Sequence, residues 1–284
     1  MPNTNLLTKF VKYGLIQRHF YYLTNNFRIL PNCIVIGVGR SGTTSLFNYL
    51  AQHSCILKSA YDEIGFFDDN FHLGLDWYRS MFPTKFKKKK IEKNYGHFLT
   101  YEVTPWYIRR PWVAKRIHEL LPHVKIIAVL RNPVDRTYSH YHLGVRSGIM
   151  DYSFEELIKY DMENLEKKIY DSNDEKNYFT NVVQSSYLAR GFYAEQLERW
   201  YRVFPKKQIH LVSSEQLSVN TQETLNEIFK FLELPIENIQ NLEKTSVGNY
   251  PKMNSNTRKN LIDFFKPYNK KLYDLTKKDF HWNE

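Results

Sequence analysis

Cysteine is scarce: the 284-residue chain has two, Cys33 and Cys55. That is too few for a disulfide framework, so the fold must rest on a packed core and a reducing compartment is the simpler setting. No apolar run approaches the roughly 18 residues that would cross a bilayer. Lys9, Lys12, Arg18 and His19 interrupt the N-terminal hydrophobic residues, so neither a secretory signal nor a membrane anchor is visible. These absences predict a cytoplasmic protein with no membrane span; a membrane protein trimmed of its anchor would read the same way. Histidine, cysteine and carboxylate residues are nowhere grouped at metal-ligand spacing, and His140 and His142 would point apart on a helix, so no metal is expected. Repeats and low-complexity linkers are missing too, which argues for one domain.

What is present is ample material for a core, with 42% hydrophobic residues, and a surplus of positive charge, 40 lysines and arginines against 30 acidic residues. The formal charge of +10 favours anionic partners. A phosphorylated cofactor, an acidic polysaccharide, a membrane surface and nucleic acid would all fit, so charge alone does not choose among them.

The chain is organised around Gly37 to Thr44, G-V-G-R-S-G-T-T, which follows the apolar run Cys33-Ile34-Val35-Ile36. A strand, a glycine loop and a helix starting near Ser45 would turn backbone N–H groups toward a phosphate. Gly37 and Gly42 have the spacing of a nucleotide-binding P-loop, but Thr43 stands where a nucleoside triphosphatase has the lysine that reaches the β- and γ-phosphates. Gly39, Arg40, Ser41, Gly42, Thr43 and Thr44 are therefore candidates to hold a phosphate of some other nucleotide.

Elsewhere the pattern alternates between strands and helices. Residues 1–30 read as a helical arm ended by Pro31, and residues 31–284 as the domain proper. Ser54 to Pro83 reads as irregular, and Lys85 to Lys90, five lysines in six residues, as a solvated loop. Strands are predicted over Phe98 to Val103, Val124 to Leu130 and Gln208 to Val212. Helices are predicted over Pro111 to Leu121, Phe154 to Ile169, Ser186 to Phe204, Thr221 to Leu232 and Thr257 to Thr276, with a surface loop over Asp171 to Lys176. The near-continuous run V-K-I-I-A-V-L is what a strand buried on both faces of a parallel sheet requires. The fold class is thus α/β: one P-loop-like, three-layer domain with a central, mainly parallel sheet flanked by helices. Arg131, Arg136, Ser139 and His140 follow that buried strand, where open α/β sheets bind ligands.

Several of these stretches, in order from about Pro31 to the C-terminus, resemble the sulfotransferases that use 3′-phosphoadenosine 5′-phosphosulfate (PAPS), above all the branch acting on heparan sulfate and related carbohydrates. V-I-G-V-G-R-S-G-T-T-S-L is similar to that family's 5′-phosphosulfate loop, with Arg40 at its cationic position. K-I-I-A-V-L-R-N-P-V-D-R-T-Y-S-H-Y is similar to its 3′-phosphate segment, which implies that Arg131 and Ser139 bind that phosphate. Asp62 to Phe67 resembles K-E-x-H-F-F and implies Glu63 as catalytic base, with Asp62 and Gly65 replacing the lysine and histidine. Glu102 to Tyr107 resembles E-K-x-P-x-Y, with Val103 in the place of a substrate-side lysine. Gly191-Phe192-Tyr193 with Leu197 and Trp200 is similar to a packing signature, and Tyr187 just before it is either a cofactor-side residue or one more apolar position. Gly248-Asn249-Tyr250-Pro251 is similar to K-G-R-x-H-P, a loop closing over the cofactor. It implies Gly248, Tyr250 and Lys252 on the cofactor, with Val247 and Asn249 replacing two cations whose charge Lys244 or Lys252 could supply.

Sulfuryl transfer needs an in-line nucleophile, a base and cations for charge on the leaving oxygen. Glu63 would take the acceptor proton and Arg40 would stabilise the developing charge. The resemblance thus implies PAPS as cofactor, 3′,5′-adenosine bisphosphate (PAP) as product, and a carbohydrate or small-molecule hydroxyl or amine as acceptor, with no nucleic acid partner. Two other readings stay open: a nucleoside or metabolite kinase with a degenerate P-loop, and a non-catalytic binder of acidic glycan or nucleic acid through Lys85 to Lys90.

Overall fold

The computed structural model describes residues 21–165, 186–245 and 248–283. Strand β1 (Cys33–Val35) passes through the glycine loop into α1 (Thr43–Leu50). Then come β2 (Ile56–Lys58), α2 (Gly74–Ser80), α3 (Lys85–Tyr95) and β3 (Leu99–Val103). They are followed by α4 (Val113–Leu120), β4 (Lys125–Leu130), α5 (Pro133–Arg146) and α6 (Phe154–Glu163). The remainder is α7 (Tyr193–Tyr201), β5 (Ile209–Ser213), α8 (Ser214–Val219), α9 (Thr221–Leu232) and α10 (Ser255–Thr276).

The five strands form one sheet in the order β2-β3-β1-β4-β5, and every neighbouring pair is parallel. Central β1 and β4 read as unbroken apolar runs because successive residues serve opposite layers. Ile34, Ile126, Ala128 and Leu130 pack with Tyr107, Leu197 and Trp200 on one face. Cys33, Val35, Ile127 and Val129 pack with Leu46, Ile228 and Phe229 on the other. Each such aliphatic side chain, fully buried, stabilises by about 1.5–3 kcal/mol relative to exposure. The chain leaves β1 toward β2, returns through β3 beside β1, and then adds β4 on the other side. The loops after β1 and β4 therefore diverge around a crevice at the carboxyl end of the sheet, the usual ligand position in such folds.

Most predicted elements are found within one to three residues of their expected ends. The stretch from Ser54 to Pro83 is not irregular: it holds β2 and α2. With three residues β2 is too short for a strand period to show, and α2 opens on a glycine. Lys85 to Lys90 is not a loop but the first part of α3, whose Thr84 side chain caps Lys87 N–H and whose end is the left-handed Gly96. Lysine is a good helix former and α3 buries none of its residues, so the charges stay hydrated without unwinding it. The helix expected over Ser186 to Phe204 breaks into a 3-10 turn at Ala189–Gly191 and then α7. At Gly191 a Cβ would lie 2.8 Å from both Phe265 and Pro133, so close packing explains that glycine. The arm is described only from residue 21, and the loop Asp171 to Lys176 and the end of the Phe154 to Ile169 helix lie outside the described residues.

Candidate active site

The loop after β1 is shaped by one close approach and two left-handed residues. A Cβ at Gly37 would stand 2.3 Å from the Val129 backbone nitrogen, so only glycine lets β1 run out alongside β4. Arg40 and Gly42 then take φ of 75° and 81°. Glycine adopts that conformation freely, whereas arginine must be held in it. The hold is visible: Arg131 Nη1 donates to the Arg40 carbonyl at 2.7 Å, and Arg40 Nε donates to Ser139 Oγ at 3.2 Å. Tyr193 in turn donates its hydroxyl to the Arg131 carbonyl at 2.8 Å. Residues separated by about a hundred positions in the chain thus meet because β1 and β4 are neighbours and α5 starts directly after β4. Asn132 caps that helix through Val134 N–H, with Pro133 at its first position.

Around this loop is a cleft of about 480 Å³. Eleven of the thirteen predicted site residues line it: the loop residues Gly39 to Thr44, with Glu63, Arg131, Ser139, Gly248 and Tyr250. Tyr187 and Lys252 do not. Tyr187 sits behind, its ring 4.5 Å from His140 and its carbonyl accepting from Arg136. Lys244 lines the cleft, so of the two cations considered for the closing loop it is the one facing the site.

The cleft has a cationic half. Arg40 is pushed below the usual arginine range by burial first and then by Arg146, with Arg131 adding to the effect and Tyr250 opposing it. His140 is pushed down to about 2 by burial and by Arg190, Arg136, Arg109 and Arg40, so it is neutral. Among the described residues neither Arg40 nor Arg131 has a carboxylate partner. The Ser41 hydroxyl is buried and finds no hydrogen-bond partner there either. His142, expected to point away from His140, stacks on Tyr250 with ring centroids 4.5 Å apart.

The other half is acidic and aromatic. Glu63 has φ of 56° and donates its N–H to the Val103 carbonyl at 2.9 Å, which pins the strap 62–67 across the end of β3. Burial raises the Glu63 carboxyl, Asp62 and Asp68 raise it further, and a hydrogen bond from Trp106 opposes them. The Trp106 ring also backs the glycine loop, 3.3 Å from where a Gly39 Cβ would be. Asp62 is likewise raised by burial, against a hydrogen bond from Thr44. Asp68 is pushed up to about 6, chiefly by burial.

Sequence reasoning missed the far wall. Ser45 accepts the Thr245 N–H at 3.0 Å and Tyr49 donates to the Leu242 carbonyl at 3.0 Å, so α1 anchors the segment carrying Lys244. Ser214 and Ser218 of α8 and Asp135 of α5 also line the cleft. A serine immediately after the glycine loop was the one available signal for the first; the α8 serines carry none.

Residues 30–271 match the family described as Sulfotransferase domain. The chain belongs to the sulfotransferase family. It is 28% identical to the membrane-associated sulfotransferase kil1 of Dictyostelium discoideum, over 89% of this chain and 66% of that protein. A bifunctional heparan sulfate N-deacetylase/N-sulfotransferase of Drosophila melanogaster is 28% identical over 90% of this chain but only 27% of its own length. Mouse heparan sulfate glucosamine 3-O-sulfotransferase 5 is 28% identical over 98% of this chain and 81% of its own. The chain thus spans less than two-thirds of the first two relatives. In structure it resembles a sulfotransferase from Alicyclobacillus acidocaldarius, with a TM-score of 0.68 over 90% of this chain and 100% of that one at 24% identity, which supports the α/β fold. No described helix is long and apolar enough to cross a membrane.

Proposed function

We propose that this sulfotransferase moves a sulfuryl group from PAPS to a hydroxyl or amine of a carbohydrate or small-molecule acceptor, with Glu63 as the base. The observation that carries the reading is the meeting of Arg40 and Arg131, without a carboxylate partner among the described residues, at a glycine loop that opens helix α1. A guanidinium pushed down by burial and by the neighbouring arginines Arg146 and Arg131, beside a buried serine hydroxyl lacking a partner among the described residues, fits an anionic ligand in the gap. The residues fit a nucleotide phosphorylated at both ends of its ribose. Loop N–H groups with Ser41, Thr43 and Thr44 would hold the 5′ side, and Arg131 with Ser139 the 3′-phosphate. Gly248 and Tyr250 would close over it with Lys244 nearby; Tyr187 and Lys252 would contribute only from outside the cleft wall.

When bound, PAPS supplies an activated sulfuryl group; the rest falls to the chain. Glu63, which lines the cleft together with Arg40, would take the acceptor proton, and its raised affinity for protons suits that task. Arg40 would offset negative charge as the leaving oxygen develops. Trp106 orients the Glu63 carboxyl and walls the loop from the strap. A carbohydrate acceptor is supported by the two similar enzymes named for heparan sulfate. A cytoplasmic setting belongs to this reading through the two cysteines, both buried and free, and fractionation decides between it and a membrane-associated one.

Calorimetry with PAP against ATP plus magnesium tests the reading. PAP should bind and ATP should bind far less; absent or equal binding of PAP would sink it.

A further inference from the structure

Beneath the strap that carries Glu63 lies a carboxyl group with no contact to the cleft. Glu102, near the end of β3, is completely buried, and three hydroxyls converge on it. Tyr78 donates to Oε1 at 2.5 Å, while Thr104 and Tyr107 donate to Oε2 at 3.3 and 3.5 Å. Two of those hydroxyls face both ways. Thr104 Oγ1 accepts the Gly65 N–H at 3.3 Å and the Tyr107 hydroxyl accepts the Phe67 N–H at 3.1 Å. Every second amide from Glu63 to Phe67 is therefore held: Glu63 by the Val103 carbonyl, Gly65 and Phe67 by hydroxyls whose protons are turned down toward Glu102.

A buried carboxyl is costly, and burial pushes this one up to about 8 while the three hydroxyls oppose the shift. An apolar side chain would pack there without that cost, so the group's use lies in what it orders. A threonine or tyrosine hydroxyl can offer either its proton or its lone pairs to an amide neighbour. An acceptor below fixes the choice, leaving lone pairs for the strap. The strap needs that hold, because Glu63 has φ of 56° and Gly65 of 62°. A non-glycine residue keeps such a conformation only where its surroundings over-determine it.

We propose that Glu102 is a positioning residue for sulfuryl transfer: through the Thr104 and Tyr107 hydroxyls it locks the strap and so aims Glu63 at the acceptor. The assignment rests on Glu63 as base. The test compares Glu102→Met, which removes both acceptor oxygens at similar volume, with Glu102→Gln, which keeps one. In Glu102→Met, amide hydrogen exchange at Gly65 and Phe67 should speed up while Ser59, whose N–H goes to the Tyr101 carbonyl at 3.1 Å, stays protected. PAP affinity should be unchanged and kcat should fall about 10- to 100-fold, the usual cost of a reacting group misplaced by an ångström. Glu102→Gln, with its oxygen toward Thr104 and Tyr107, should recover most of both. Parental exchange or parental kcat in Glu102→Met overturns the assignment, as does a Gln variant no better than Met. Should Glu102→Met not fold, Thr104→Val and Tyr107→Phe apply the same exchange and kcat criteria, each removing one link. Full activity of Glu63→Gln would refute the base instead, and the exchange data would still decide the strap.

Discussion

The two halves of the cleft are built on opposite principles. On the proposed cofactor side, the loop 37–44 and the start of α5 bring Arg40 and Arg131 together without a carboxylate partner for either among the described residues, while Asp135, which also lines the cleft, is paired with Arg258. On the acceptor side, the strap 62–67 gathers carboxylates above a buried glutamate, and hydroxyls and an indole hold them. Under the proposed function the first half would bind by charge and the second would hold a proton acceptor by geometry. What the difference teaches is that cofactor affinity and transfer should separate under mutation, although Arg40 and Glu63 line one cavity.

Glu63→Gln should show the largest separation. Removing a general base typically costs 10²- to 10⁴-fold, so kcat should fall by about that much while the calorimetric affinity for PAP stays put, since glutamine keeps the shape and the bond to Trp106. A comparable loss of PAP binding would erase the division between the halves. Arg131→Gln probes the opposite half with a smaller effect. A hydrogen bond to a charged group contributes about 1.5–3 kcal/mol, so PAP dissociation should rise roughly 10- to 100-fold. Because Arg131 also holds the Arg40 carbonyl, the loop's left-handed turn should loosen, and exchange at Ser41 and Gly42 amides should report it.

The same contrast explains what could be read from sequence. The cofactor half was legible because its chemistry lies in contiguous motifs that follow apolar strands: a glycine loop after Cys33-Ile34-Val35-Ile36, and Arg131 after V-K-I-I-A-V-L. Sheet order then does the rest, placing β1 beside β4. The acceptor half was legible only through resemblance, since Glu63 sits in a stretch with no period, and β2 and α2 are too short to announce themselves. Hidden entirely was the stack beneath it: that Tyr78, Thr104 and Tyr107 share one carboxyl is a matter of which face of β3 Glu102 takes, and Glu102 sits where an apolar residue was due. Thr245 on Ser45, a contact spanning 200 residues, has no local trace either. The lysine run was misread for another reason, since charge density was weighed above helix propensity and a threonine cap.

The finest test of the comparison is electrostatic. Asp62 and Asp68 both raise the Glu63 carboxyl, Asp62 the more, while Asp62 also takes a hydrogen bond from Thr44 of the glycine loop and so touches both halves. Asp62→Asn keeps an oxygen for the Thr44 hydroxyl but removes the charge. As a base Glu63 works ionised, so the rate rises with pH through its pKa. Without the Asp62 charge ionisation becomes easier, and the acidic limb of kcat against pH should move to lower pH, with kcat on the plateau and PAP affinity little changed. Asp68→Asn should move the limb the same way by less, because Asp68 ranks below Asp62 among the charges acting on Glu63. A limb that stays in place in both variants would show that some other group sets the pH dependence, and an Asp62→Asn that loses PAP binding would show that the two halves are coupled through Thr44 after all.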